Sequence, residues 1–326
     1  VICRMDVPEQ GGRKRGRREG RLSTVEVKAK RRASSKEISH SEWLELRRTG
    51  IGSSDAPGVL GVSPWASPLS IYADKLGLID PQEDNERLEW GRIMEGPIAE
   101  RYAKKTGREQ REEPYILQLL ELNWMLCNLD RLITDPEKGI GILEIKSYDP
   151  FDREGEARLD VQVQLQHQLA VTGLGWGSIV GLAFGRTLVW EDYDRNDLFI
   201  ESMIKEELAF WSKVLMQTPP DPDGHIATRE AIKKLYPKDT GITIDLPPEA
   251  LKWAELLKLA QEEKKDAEGA ISLMQNKIIL ALGDAGIGRL PDGTSFSYKN
   301  QKRKAYTVKE SEFRVLRQLK TIKEEG

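Results

Sequence analysis

Apolar and polar residues alternate through the middle of the chain, and this period of two predicts β-strands. Asp135-Pro136 and Lys138-Gly139 interrupt the alternation and predict a turn. The predicted strands are Pro114–Leu120, Trp124–Ile133, Ile140–Tyr148, Ser178–Phe184 and Thr187–Tyr193. The centre of the chain is therefore predicted to form a β-sheet.

Helices are predicted before, between and after these strands, where apolar residues recur at spacings of three and four. They are Glu42–Arg48, Asp55–Leu60, Ser67–Leu76, Glu89–Gly107, Leu159–Thr172 and a helix from Asp194 or Asn196 to Met216. Together the elements predict an α/β (α+β) fold with a mixed β-sheet flanked by helices.

The C-terminal third has a different pattern, one long helix over residues 248–282. Its apolar positions follow a heptad repeat over about four and a half heptads, with Lys264 in one core position. Such a helix packs against a second helix, the preceding core or another subunit. After it, residues 283–291, 295–299 and 304–308 predict a small β-unit, and residues 310–319 a closing helix.

Composition adds limits to this outline. The 326 residues are 39% hydrophobic and include eight Trp, which is enough for a large core. No apolar run approaches about 18 residues and no secretory signal is visible, so we expect an intracellular protein, nuclear in a eukaryotic system. Cys3 and Cys127 provide no disulfide framework, and with three His they do not favour a zinc site.

Charge is unevenly distributed. Residues 11–32 contain ten Lys or Arg against Glu19 and Glu26, a net of +8. Residues 1–10 sum to −1, and the whole chain to −3, so residues 33–326 sum to −10. Any binding of nucleic acid by the folded part must therefore use a local basic surface and metal ions.

Candidate chemistry is concentrated between Asp130 and Lys146. Glu144 and Lys146 lie two residues apart on one strand and so share a face, which Asp130 can reach from the neighbouring strand. Two carboxylates suit a hard divalent cation such as Mg²⁺, and the ammonium could orient a water or stabilise a phosphoryl group. A solvated strand face with Glu and Lys at this spacing is the alternative.

A second candidate is Gly50-Ile-Gly-Ser53-Ser54, which follows Arg47 and Arg48. Glycine allows close approach of an anion to the backbone, and hydroxyls before a helix suit a phosphate. On chemistry alone, a simple helix N-cap is the stronger interpretation.

Two helices contribute further polar candidates. Glu95 lies on the same helix face as apolar residues and needs a partner, for which Arg92 is one choice. Gln164 lies on a polar stripe with His167 and Gln168, and an amide could hold a water or a carboxylate ligand. Solvent exposure is the alternative for this stripe. His167 is expected to support the structure, not to act as a general base.

Six blocks, in this order, resemble the YqaJ-type viral recombinase family, a group of lambda-exonuclease-like members of the PD-(D/E)xK nuclease superfamily. They are Arg47–Asp55, Leu60–Trp65, Trp90–Glu95, Asp130, Leu143–Ser147 and Gln164–Gly173. The resemblance covers roughly residues 41–220 and implies a PD-(D/E)xK nuclease core. It gives an exonuclease domain at 36–222. Few apolar side chains and many Arg, Gly and Ser predict a disordered basic tail at 1–35, and residues 223–326, outside the resemblance, are predicted to form a C-terminal appendage.

The resemblance also implies a Mg²⁺-dependent DNA exonuclease, with Mn²⁺ as a substitute. It acts on double-stranded ends from 5′ to 3′, alongside an annealing protein and as a ring-like homo-oligomer. Asp130, Glu144 and the Ile145 carbonyl would hold metal, Lys146 would act on the water, and Glu95 and Gln164 would complete the site. The 5′-phosphate would bind Arg47 or Arg48, together with Ser53 and Ser54.

Two positions depart from the family pattern. Arg131 follows Asp130 where the family usually has Gly, which could crowd or recharge the site. Leu120 lies where some members carry another carboxylate, so one metal is better supported than two. A same-fold endonuclease or RecB-like nuclease, and a non-catalytic DNA-binding or scaffold protein, remain the alternative functions.

Overall fold

The computed structural model describes residues 29–81, 84–303, 310 and 314–317. The chain divides into two compact units, with the boundary between Tyr236 and Pro237. The strands are β1 (Ala29–Ser34), β2 (Ile51–Gly52), β3 (Glu109–Arg111), β4 (Tyr115–Leu119), β5 (Met125–Cys127), β6 (Arg131–Asp135), β7 (Gly139–Lys146), β8 (Trp176–Ala183), β9 (Thr187–Asp194), β10 (Ile287–Arg289) and β11 (Ser295–Ser297). The helices are α1 (His40–Arg48), α2 (Ala56–Val59), α3 (Pro68–Lys75), α4 (Glu86–Thr106), α5 (Leu159–Thr172), α6 (Asp197–Leu215), α7 (Ile226–Leu235) and α8 (Ala250–Leu282).

A five-stranded sheet in the order β3-β6-β7-β8-β9 forms the centre of the first unit. β7 and β8 are parallel and are connected through α5, whereas the other neighbouring strands are antiparallel. Ile142 packs in one apolar cluster with Leu165 of α5, and Leu143 packs in another with Ile98 of α4. Because adjacent strand residues point to opposite faces, α4 and α5 cover opposite sides of the sheet. The predicted helix-flanked mixed sheet is confirmed.

A second sheet has the order β1-β4-β5-β2. The predicted strand Trp124–Ile133 is divided between the two sheets, because β5 pairs with β4 whereas β6 pairs with β7. Asp130 lies in the bend between β5 and β6. The change of sheet therefore places this carboxylate at the beginning of β6, facing the end of β7.

Strand β1 differs from the prediction of a disordered tail through residue 35. Residues 1–28 lie outside the described part, but residues 29–34 pair with β4. Ala29 and Ser34 are buried, and Arg31 donates to Glu113 at 2.6 Å between Nη2 and Oε2. The strand was missed because its basic composition resembles that of the tail, and its stabilising partners lie far away in sequence.

Helix α7 lies after the predicted domain end at residue 222 and packs against α3 in the first unit. The Thr228 hydroxyl lies 2.7 Å from the Ser67 hydroxyl, and both side chains are buried. A short helix of this kind has little signal in the sequence, because only Thr228 and Ala231 are buried along it.

The second unit contains α8 and the hairpin β10–β11. α8 occupies the region of the predicted heptad-patterned helix, and none of its residues is buried. The predicted strand at 304–308 and several residues of the predicted helix at 310–319 lie outside the described residues. No helix in the described ranges is both long enough and apolar enough to cross a membrane.

Candidate active site

Strand β7 presents Glu144 and Lys146 on the same face, as its alternation predicts. The Lys146 ammonium donates to Glu144 Oε1 at 2.7 Å. Glu144 is buried, with 1% of its surface exposed, so this contact compensates a carboxylate that has little access to water. This geometry rules out a solvated Glu–Lys strand face for Glu144.

Helix α5 holds both of these side chains from one face of the helix. Gln164 Oε1 accepts a hydrogen bond from Lys146 Nζ at 2.9 Å, and Gln168 Nε2 donates to Glu144 Oε2 at 2.7 Å. The two glutamines are four residues apart and therefore lie one turn apart on the same side. Gln164 thus contacts Lys146, as its place in the candidate set requires. Gln168 was missed, although its i+4 spacing from Gln164 was the available signal.

Asp130 reaches the end of β7 from the adjoining bend. Its Oδ2 accepts a hydrogen bond from the backbone N–H of Ile145 at 2.7 Å. Burial raises the pKa of Asp130 well above its usual range, and the negative charges of Glu144 and Glu95 raise it further, although Lys146 opposes them. Asp130, Glu144 and Lys146 therefore lie close enough for the charge of each to affect the others.

Glu95 enters from α4 and is about one-third exposed. Its partner is not the suggested Arg92, whose guanidinium pairs with Asp84 at 2.6 Å, but Arg131, 4.0 Å away between Nη1 and Oε2. Burial raises the pKa of Glu95, Arg131 opposes this shift, and Glu144 adds to it. Arg131 therefore adds positive charge at the edge of the carboxylate group.

The donor set fits a divalent metal. Asp130, Glu144 and Glu95 supply carboxylate oxygens, the hard ligands that suit Mg²⁺, and Lys146 and Arg131 lie beside them. Within the described ranges, no three His, Cys, Asp or Glu side chains already form a metal-binding group. Lys146 and Gln168 donate to the two Glu144 oxygens, and the Ile145 N–H donates to one Asp130 oxygen.

The other candidate group lies at the end of α1. Arg47 Nη2 donates to the Ser54 hydroxyl at 2.9 Å, and its guanidinium lies 4.8 Å from the centre of the Trp43 ring. Arg48 instead points towards Asp74, with 3.8 Å between Nη2 and Oδ1. Of the two arginines, the structure therefore places Arg47 beside Ser54. Ser54 is exposed, whereas Ser53 is buried.

Asp55 and Lys75 organise this group, and neither was among the predicted site residues. Asp55 accepts from Arg47 at 2.8 Å, from Lys75 at 2.6 Å and from the Gly52 N–H at 2.9 Å. Lys75, whose side chain is fully buried, also donates to the Arg47 carbonyl at 2.9 Å. Burial raises the pKa of Asp55, but Lys75 and Arg47 outweigh it and hold the pKa well below its usual range.

The helix N-cap interpretation is wrong for this segment. α2 has only four residues, and Asp55 at its N-cap makes no side-chain capping bond because its carboxylate turns back to Gly52. Gly50 has a packing role, since a Cβ there would lie 2.3 Å from the Trp124 carbonyl oxygen. The glycine therefore lets β2 approach β5 closely.

His167 lies away from the carboxylate group, in a buried contact between α5 and α6. Its Nδ1 is 2.8 Å from Glu207 Oε1, and its Nε2 donates to the Leu126 carbonyl at 3.0 Å. Burial lowers the pKa of His167, but the charge of Glu207 outweighs it and raises the pKa above its ordinary value. The residue links two helices to β5, in agreement with the structural role expected for it.

The fold defines the class as a mixed α/β protein whose five-stranded sheet is flanked by helices, with the Asp–Glu–Lys group at the end of its central strand β7. The profile of the YqaJ-like viral recombinase domain matches residues 42–175. The "Uncharacterized protein YqaJ" of Bacillus subtilis (strain 168) is 31% identical over 265 residues, which are 78% of this chain and 82% of that relative. The chain belongs to the YqaJ-like viral recombinase family.

Two solved structures of exonucleases have a similar course of the chain. The alkaline exonuclease LHK-Exo of Laribacter hongkongensis is 20% identical, covers 59% of this chain and 98% of its own, and has a TM-score of 0.44. A phage related exonuclease of Haemophilus somnus 129PT is 13% identical, covers 52% and 94%, and has a TM-score of 0.39. The family assignment rests on the Bacillus subtilis relative.

Proposed function

We propose that the protein is a metal-dependent DNA exonuclease of the phage recombination type, which hydrolyses phosphodiesters at double-stranded ends. The observation that carries the proposal is the convergence of Asp130, Glu144 and Lys146 at the end of β7. Hydrolysis of a phosphodiester is assisted by carboxylates that bind a metal ion and by a positively charged side chain beside them, and these three residues supply both.

Asp130, Glu144, the Ile145 carbonyl and Glu95 would hold Mg²⁺, or Mn²⁺ in its place. The metal would supply an activated water and neutralise charge on the phosphate. Burial lowers the pKa of Lys146, but Glu144 and Asp130 outweigh it and raise the pKa above its ordinary value. Lys146 would position or activate the attacking water and stabilise negative charge on the phosphate.

Two glutamines position this group. The hydrogen bond to Gln164 restricts the side-chain orientation of Lys146, and the hydrogen bond from Gln168 restricts that of Glu144. Reacting groups held in one geometry lose less entropy in the transition state. We assign Gln164 and Gln168 to positioning.

The group around Arg47 would bind the 5′-terminal phosphate. A guanidinium has five N–H donors, so Arg47 can contact Asp55 and Ser54 and still offer donors to an anion. Recognition of a 5′ phosphate implies 5′ to 3′ polarity and a 3′ single-stranded product. An annealing protein and a ring-like homo-oligomer would then be the working context, as family resemblance implies.

The test is digestion of linear double-stranded DNA in Mg²⁺, with either 5′-phosphate or 5′-hydroxyl ends, alongside a circular duplex. We expect rapid loss of the phosphorylated linear DNA, slower loss of the hydroxyl form and no cleavage of the circle. Lys146→Ala should lower the rate by roughly 10² or more. Lys138→Ala is the matched control, because that lysine also pairs with a carboxylate of the sheet but is exposed.

Each departure has a distinct meaning. Cleavage of the circle would point to an endonuclease of the same fold, and equal rates at both ends would remove the phosphate role of Arg47. DNA binding without products in Mg²⁺ or Mn²⁺, by folded protein, would overturn the nuclease and favour a binding or scaffold protein.

A further inference from the structure

Helix α8 exposes a row of large apolar side chains. Trp253 is 60% exposed, Leu257 48%, Ile271 56% and Met274 49%. At 33 residues the helix is about 50 Å long, and isolated helices gain most of their stability from packing an apolar face. An apolar row of this length indicates a docking surface.

The row follows a strict 3–4 spacing, which we call the α8 seam. Its members are Ala250, Trp253, Leu257, Ala260, Lys264, Ala267, Ile271, Met274, Ile278 and Ala281. A sustained spacing of 3.5 residues is the pattern of a left-handed coiled coil, in which one helix packs along another of the same length. The seam thus fits a long helix better than a globular surface.

We propose that the occupant is the α8 seam of a second copy of this chain, in antiparallel orientation. In one register, every seam position of one copy faces a seam position of the other, and the two residue numbers of each facing pair sum to 531. The pairs are Ala250 with Ala281, Trp253 with Ile278, Leu257 with Met274, Ala260 with Ile271 and Lys264 with Ala267. Small residues then face large ones at the Ala260 and Lys264 levels, as packed layers require.

Charge selects this orientation over the parallel one. In a parallel pair, Lys264 of one copy would face Lys264 of the other inside the seam. Glu263 of each copy would also lie beside Glu268 of the other copy. Like charges in these positions are unfavourable. In the antiparallel pair, Lys264 faces Ala267, Glu263 flanks Ala270 and Glu268 flanks Gln261.

Lys264 can remain solvated in the antiparallel arrangement. Its ammonium lies 3.6 Å from Glu268 of its own helix, which keeps the charge at the edge of the seam. The aliphatic part of the side chain can then cover Ala267 of the second copy. This accounts for a lysine in a core heptad position without an unpaired buried charge.

Association is tested with the full chain by light scattering after size-exclusion chromatography. Ile271→Glu places a charge in the seam and should halve the apparent mass relative to the wild type. Leu273→Glu is the matched control, since Leu273 is 52% exposed on the same helix but lies off the seam, and it should leave the mass unchanged. A wild type already monomeric at micromolar concentration, or equal masses for both variants, would overturn the proposal.

Orientation is tested by disulfide formation in a Cys3→Ser background, in which the remaining Cys127 is buried. Antiparallel pairing brings residue 257 against residue 274 of the second copy. We therefore expect Leu257→Cys and Met274→Cys proteins to cross-link when mixed and oxidised, whereas neither does so alone. Cross-linking of each variant alone would show a parallel pair and contradict the proposal. Neither measurement depends on nuclease activity.

Discussion

Asp130 is a carboxylate placed among like charges. Burial, Glu144 and Glu95 raise its pKa, so the folded protein binds the Asp130 proton more tightly than the unfolded chain does. Its contribution to stability is therefore greatest at low pH and decreases as the pH rises through the raised folded pKa. A divalent cation competes with that proton and should reverse the loss.

We predict that Mg²⁺ raises the thermal unfolding midpoint of the wild type, and more so at higher pH. At a tenfold excess over the dissociation constant, binding to the folded state alone adds about 1.4 kcal/mol. Asp130→Asn should lose most of the increase. Glu137→Gln, at an exposed carboxylate in the turn before β7, should keep it. An identical Mg²⁺ response in Asp130→Asn would remove Asp130 from the proposed metal site.

Lys75 positions Arg47 indirectly, through its contacts with Asp55 and with the Arg47 backbone. Its ammonium binds both the Asp55 carboxylate and the Arg47 carbonyl, so it holds the backbone and the counter-ion of Arg47 together. The contact depends on α3 packing beside α1 and cannot be read from either segment alone.

Lys75→Met should therefore reduce the preference for 5′-phosphorylated ends about tenfold, the effect of losing one charge-assisted hydrogen bond. The 5′-hydroxyl rate should change little, which separates positioning from general loss of structure. Lys104→Met, at an exposed lysine of α4, is the control. An unchanged ratio of the two rates in Lys75→Met would contradict the assignment.

Among the elements, α5 serves two partners from one polar stripe. Gln164 and Gln168 differ by only about 40° around the helix axis, whereas His167 lies about 60° beyond Gln164 and 100° from Gln168. The glutamines consequently face β7, while His167 faces Glu207 of α6. A single stripe thus contributes both to the candidate site and to helix packing.

The His167–Glu207 contact predicts a pH dependence of stability. Because the pKa of His167 is higher in the folded protein, protonation of His167 stabilises the fold. This contribution is complete below the pKa of the unfolded chain, near 6.5, and is lost as the pH rises through the higher pKa of the folded protein. Glu207→Gln should lower stability by on the order of 3 kcal/mol at pH 6 and flatten the dependence above neutrality.

Thermal unfolding between pH 6 and pH 9 measures this effect. Glu206→Gln, at the exposed neighbour on α6, should keep the wild-type profile. A Glu207→Gln profile parallel to the wild type would mean that the histidine does not titrate through this contact.

At the scale of the whole molecule, residues 237–247 connect the two units without helix or strand, and every residue from 236 to 249 is exposed. Exposed, irregular backbone is the preferred site of proteolysis. We predict that limited trypsin digestion cuts after Lys238 and leaves a resistant fragment that ends there, identified by mass spectrometry. Lys238→Gln should delay that fragment, and first cleavage inside α4 or α5 would contradict the two-unit description.

The fold was predictable where its signals are local. The alternation of β7, the period of α5 and the heptads of α8 each fall within one element, and the structure contains all three. Strand β1, helix α7 and the division of the predicted strand Trp124–Ile133 were not predictable, because each depends on a partner distant in sequence. The same holds for Lys75 in the site, whereas Gln168 had a local signal in its spacing of four residues from Gln164.

The sequence by itself determined the family, the helix-flanked sheet and the shared face of Glu144 and Lys146, since strand geometry alone sets which side chains point together. Only the tertiary structure decided that Asp130 lies at the change between two sheets, that Arg47 and not Arg48 meets Ser54, and that Arg131 pairs with Glu95. Those contacts join separate elements, and their geometry follows from how the elements pack, which no local pattern encodes.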